Sequence, residues 1–96
     1  MNIPNKIKIG GKTYNVIKTK NIDLGNTYYS AEIDYRNLEI RICPNNKEKM
    51  EVDFLHEMFH GILDFLGYSE HDEKHVDELA NTLYMVIKDN PKMFKG

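Results

Sequence analysis

Cysteine is nearly absent from this chain: Cys43 stands alone, so no intramolecular disulfide can staple the fold and a reducing compartment is favoured. Charge of one sign is equally scarce. Thirteen Lys and Arg stand against fifteen Asp and Glu, a formal charge of -2, so nothing here resembles the basic stripe that grips nucleic acid. No apolar run approaches a membrane span, and the opening MNIPNKIKIGGK lacks the apolar stretch of a signal peptide. The expectation is a cytoplasmic protein without a membrane or nucleic-acid partner. Internal repeats, low-complexity tracts and linkers are also missing. What remains is ordinary globular composition, 41% hydrophobic and 29% charged, in 96 residues. That length suits one small domain over 1–96 with one modest core.

The chain divides into a β-rich part, 1–44, and a helical part, 45–91. Lys6-Ile7-Lys8-Ile9 alternates polar and apolar residues, Gly10-Gly11 makes a turn, and Lys12 to Lys18 continues extended, which predicts a hairpin. Residues 19–27 (TKNIDLGNT) read as loop. Tyr28 to Asp34 and Leu38 to Cys43 predict a second hairpin around Tyr35-Arg36-Asn37, with Leu38, Ile40 and Ile42 on one face. A helix is expected from an N-cap at Asn45 or Asn46 to Leu66, with Gly67 as its stop. Val52, Leu55, Met58, Phe59, Ile62, Leu63, Phe65 and Leu66 cover about half its circumference, suiting a helix packed on a sheet and beside a second helix. Ser69-Glu70-His71-Asp72 has capping-box spacing and opens that second helix, which carries Val76, Leu79, Ala80, Leu83 and Ile87 and stops at Asn90-Pro91. Strands followed by helices indicate an α+β fold: a small antiparallel N-terminal sheet packed on two C-terminal helices.

The first helix contains His56-Glu57-Met58-Phe59-His60, a complete His-Glu-x-x-His stretch. Residues four apart share a face about 6 Å apart along the axis, so both imidazoles can reach one zinc ion at about 2.0–2.1 Å. Glu57, turned roughly 100° from His56, can address a metal-bound water without being a ligand. Catalytic zinc usually takes three protein ligands, so a third must come from elsewhere. The candidates beyond His60 are His71, Glu73, His75, Asp77 and Glu78. With Asp77 at 0° on the second helix, the apolar stripe centres at about 240°, Asn81, Tyr84 and Lys88 lie at about 0–40°, and His71 and His75 at about 120–160°. Only one flank can face the histidines while the stripe stays buried. The site uses either the Asp77 side or the His75 side, and geometry leaves that choice open.

The segment HEMFHGILDFLG…HVDELANTLYMVIKDNP resembles small phage-encoded members of the ImmA/IrrE-type metallopeptidases, which are gluzincin-like. The opening IKIGGKTYNV and the EIDYRNLEIRI hairpin add to that resemblance. In that family an acidic ligand lies four residues before an Asn in a Glu-x-x-Ala-Asn-like element. The matching stretch, Asp77-Glu78-Leu79-Ala80-Asn81, implies that Asp77 is the third zinc ligand beside His56 and His60. Asp stands where the family usually has Glu, one methylene shorter, and the helices must then approach more closely. The metzincin pattern fits less well, since Leu63 and Leu66 occupy its Gly and His positions, while SprT-like proteins, which use a downstream His, keep His75 as runner-up.

The resemblance implies a minimal zincin in which zinc sits between the helices, with the Leu38–Cys43 strand bordering the cleft. The expected activity is zinc-dependent hydrolysis of a peptide bond in a protein substrate, such as a host or phage regulatory or defence protein, with Glu57 as general base. The alternative is a zinc-stabilised, non-catalytic module that acts by binding such a protein. Asn81 is a candidate outer partner of a zinc-bound imidazole. Asp53 and Asp64 read chiefly as solvated acids, Tyr68 and Tyr84 as packing residues that also qualify as oxyanion donors, and Cys43 as a small core residue.

Overall fold

Lys6–Ile9 (β1) and Lys12–Lys18 (β2) form the expected hairpin across Gly10-Gly11 in a computed structural model that describes residues 1–20, 22 and 30–94. Ala31–Asp34 (β3) and Glu39–Ile42 (β4) form the second. Its turn is held by Asp34, whose carboxylate accepts from the backbone N–H of Arg36 at 3.0 Å and of Asn37 at 2.9 Å. Most of the expected 19–27 loop, and the strand start expected at Tyr28, lie outside the described residues.

The expected antiparallel sheet is in fact mixed. The strand order is β1-β2-β4-β3, and β2 runs parallel to β4. A parallel pair needs a crossover of roughly a dozen residues or more. Residues 19–38 supply it and include β3, which turns back on the outside of β4. The edge strands are therefore β1 and β3, and β4 is an inner strand, not the cleft border expected of it.

Helix α1 (Lys47–Phe65) has Asn46 as its N-cap, accepting from Lys49 N–H. Helix α2 (Glu73–Asp89) is capped by Asp72, whose side chain accepts from the N–H groups of Lys74 and His75. The expected cap at Ser69 is thus one turn too early: 66–72 remains a connection, and Asp72 satisfies the first free amides instead.

Ile40, Ile42 and Tyr14 are fully buried, with Ile9 nearly so, beneath Phe54 and Leu55 of α1. Each such side chain contributes about 1.5–3 kcal/mol on burial. Close approach of α1 to the sheet depends on Gly61, where a Cβ would stand 2.8 Å from Ile9 Cδ1 and 3.2 Å from Ile33 Cδ1. Helix α2 packs on α1 and not on the strands, burying Val76 and Ala80. The sheet thus supports α1, and α1 supports α2. No helix among the described residues is long and apolar enough to cross a membrane.

Candidate metal centre

His56 and His60 project from α1 toward the first turn of α2, where Glu73 meets them. The two Nε2 atoms are 3.2 Å apart. Glu73 straddles the pair, with Oε1 3.0 Å from His60 Nε2 and Oε2 3.1 Å from His56 Nε2. Bonds of about 2.0–2.1 Å at tetrahedral angles place ligand atoms about 3.3 Å from one another. The three donors already stand at nearly those separations. Two imidazoles and one carboxylate are also a ligand set of catalytic zinc. His56, His60 and Glu73 therefore form a group able to hold a metal ion.

The helix-turn logic explains each placement. Residues four apart on α1 bring the imidazoles together. Glu73, the first residue of α2, is delivered by the 66–72 connection and the Asp72 cap. Glu73 lies one turn before Asp77, on the same flank of α2 and away from the His75 flank. Asp77 itself does not join the ligand atoms: its Oδ1 stands 3.7 Å from His56 Nδ1, on the outer side of that ring. At that distance it makes no hydrogen bond, though it lies beside the ring nitrogen that an outer carboxylate would engage. The expectation of Asp77 as third ligand thus meets a different arrangement, because α2 starts at Glu73 and its first turn, not its second, faces the histidines. His75 points elsewhere and pairs with Asp72 at 3.3 Å.

Glu57 is 8% exposed and lines the same cleft, about 360 Å³ in volume, with Ala31, Glu32 and Ile33 of β3 along one wall. Burial, then the negative charges of Glu73, Asp53 and Glu32, push its carboxyl from 4.5 up to about 8. Burial holds His60 below the usual histidine range, which favours the neutral imidazole that a metal requires.

The other candidates fall as follows. Asn81 donates to the carbonyl of Asp77 within its own helix, at 2.8 Å. Asp53 is buried and bonded to Lys49 Nζ at 2.6 Å, which corrects its reading as a solvated acid. Tyr68 is exposed, and Tyr84 lies under Lys88, outside the cleft. Cys43 is half-buried. Tyr35, read from sequence only as a turn residue, lines the cleft and donates from its hydroxyl to the carbonyl of His60 at 3.4 Å. Burial raises its pKa, so it stays a donor at neutral pH. Nothing in the 35–37 turn signals that role, which depends on how the hairpin leans on α1.

No protein-family model, curated protein or solved structure matches this chain.

Proposed function

We propose that this protein is a zinc-dependent metallo-endopeptidase working in a reducing cytoplasm, with His56, His60 and Glu73 as the ligands that would hold the metal. The observation that carries the reading is the convergence of two Nε2 atoms and one carboxylate at 3.0–3.2 Å, with a buried carboxyl beside them. Likeness of the HEMFH and DELAN stretches to ImmA/IrrE-type metallopeptidases supports it further. Zinc, when bound, supplies the positive charge that polarises a scissile carbonyl and makes water a competent nucleophile at neutral pH. Glu57 takes the proton of the attacking water and hands it to the departing amine. The carboxylate form of Glu57, which a bound cation would favour, is the form that accepts the proton. Tyr35 offers a protonated hydroxyl at the cleft wall. An extended segment of a protein substrate, such as a host or phage regulatory protein, would lie along β3, the edge strand that lines the cleft.

The test is Glu57→Gln assayed on an unstructured protein such as casein. The variant is expected to keep its fold and its zinc while losing at least about 100-fold in cleavage rate, the usual scale for a general base. Undiminished proteolysis would remove Glu57 from that role.

One observation favours a second reading: β3 is only four residues long and offers a substrate little length to pair with. A zinc-stabilised module that binds a protein without cutting it fits such a short wall. Turnover separates the two, since an enzyme consumes target in excess of itself and a binder stops at a stoichiometric complex.

A further inference from the structure

His71 lies in the connection between the helices, and its ring stacks on that of His60 with centroids 5.0 Å apart. Its two nitrogens face different partners. Nε2 stands 2.9 Å from the carbonyl oxygen of Tyr68, and Nδ1 stands 2.7 Å from Nδ1 of His60. A carbonyl only accepts, so Nε2 of His71 carries the hydrogen. A neutral His71 then has only a lone pair at Nδ1, and Nδ1 of His60 must be the donor to it. A neutral His60 with its hydrogen on Nδ1 has its lone pair on Nε2, the atom that faces His56 Nε2 at 3.2 Å and Glu73 Oε1 at 3.0 Å; that carboxylate also only accepts and competes for the hydrogen until a cation stands between them.

The carbonyl at the head of this chain is itself fixed. Gly67 adopts φ +94°, a left-handed conformation that glycine takes without strain. It ends α1 with two bonds, from Gly67 N–H to Asp64 O and from Tyr68 N–H to Leu63 O, both 3.0 Å. Tyr68 is thereby tied to the last turn of the helix that carries His60.

We propose that His71 is a positioning residue that holds His60 in the Nδ1–H tautomer, through Tyr68 O on one side and His60 Nδ1 on the other, so that Nε2 is offered to a divalent cation. The role is the one a carboxylate or carbonyl usually fills behind a metal-binding imidazole; here an imidazole fills it. This inference rests on the metal site described above.

Two measurements test it. In the zinc-loaded protein, a nitrogen–nitrogen coupling through the hydrogen bond should join Nδ1 of His60 to Nδ1 of His71; its absence would overturn the relay. For zinc affinity, measured against a chromophoric chelator, His71→Ala should lose about 10–100-fold, the range for an outer partner of a ligand. His71→Asn, whose Oδ1 can accept where Nδ1 did, should recover most of that loss, a rescue that mere packing would not give. Equal zinc affinity in wild type and His71→Ala would overturn the proposal while leaving the metal site intact. Should wild type bind no zinc at all, the metal reading fails and this inference, which rests on it, falls with it. If His71→Ala does not fold, the Asn variant and the wild-type spectrum decide between the same two outcomes.

Discussion

At Glu57, burial and the neighbouring carboxylates of Glu73, Asp53 and Glu32 raise the carboxyl from 4.5 to about 8. The folded chain therefore keeps a proton that the unfolded chain releases above 4.5. The stabilising contribution is whole below that value and is lost as pH rises through about 8. For a group this buried the loss is on the order of a few kcal/mol. In metal-free protein, urea midpoints should thus fall between mildly acidic and alkaline pH, and Glu57→Gln should flatten that slope; a wild-type slope retained in the variant would assign it to other groups. A bound cation opposes the effect by favouring the carboxylate. The ligand shell makes a second prediction. Glu73→Ala should weaken zinc binding more than Asp77→Ala, whose loss should lie within the range of about 10–100-fold expected of an outer carboxylate. The reverse order would return Asp77 to the ligand set. Sequence makes the histidine pair legible, because spacing within one helix fixes it, but spacing leaves open which flank of α2 faces the pair, and the Asp77 flank is favoured only by the family resemblance. Nor does sequence separate Glu73 from Asp77, one turn apart on that flank, because the choice depends on where α2 begins relative to α1.

At the level of elements, α1 is readable almost to the residue: its apolar arc, its cap at Asn46 and its stop before Gly67 are all local signals. The start of α2 is less so, since Ser69 and Asp72 both qualify as caps and only tertiary context selects the latter. The parallel β2–β4 pairing lies beyond local reading, because strand alternation fixes which faces are buried and not the direction of a neighbour. Gly61 shows how closely α1 and the sheet are matched. A methyl there meets the ends of Ile9 and Ile33, flexible tips that can shift, and alanine gains about 1 kcal/mol in helix propensity over glycine. Gly61→Ala should therefore be close to neutral. Gly61→Val adds branches that the Ile tips cannot clear and should cost about 1–3 kcal/mol, the usual range for overpacking. Denaturant unfolding of both variants checks the contrast; equal stabilities would mean that the helix and sheet are not in close register there.

At the scale of the molecule, the order of support among the described residues runs from sheet to α1 to α2, with no strand of those residues packed beneath α2. Much of its apolar surface faces solvent, with Leu79 and Met85 half exposed or more. The proposed metal joins the two helices directly, two ligands from α1 and one from α2. Bound zinc should therefore act as a clamp whose effect is local as well as global. A ligand that binds only the folded state stabilises it by about 2.7 kcal/mol at one hundred times its Kd, so Tm should climb with zinc concentration and fall when a chelator is added. The clamp makes a sharper prediction for hydrogen exchange. On chelation, amides of α2 and of the 66–72 connection should lose protection first, while those of β2, β4 and the first turns of α1 hold theirs until global unfolding. Glu73→Ala should reproduce that pattern with zinc present, since the metal then keeps its anchor on α1 and loses its grip on α2. Uniform loss of protection across sheet and helices would instead mean that the sheet and both helices open as one cooperative unit, with the metal adding to its stability and not to the docking of α2 in particular.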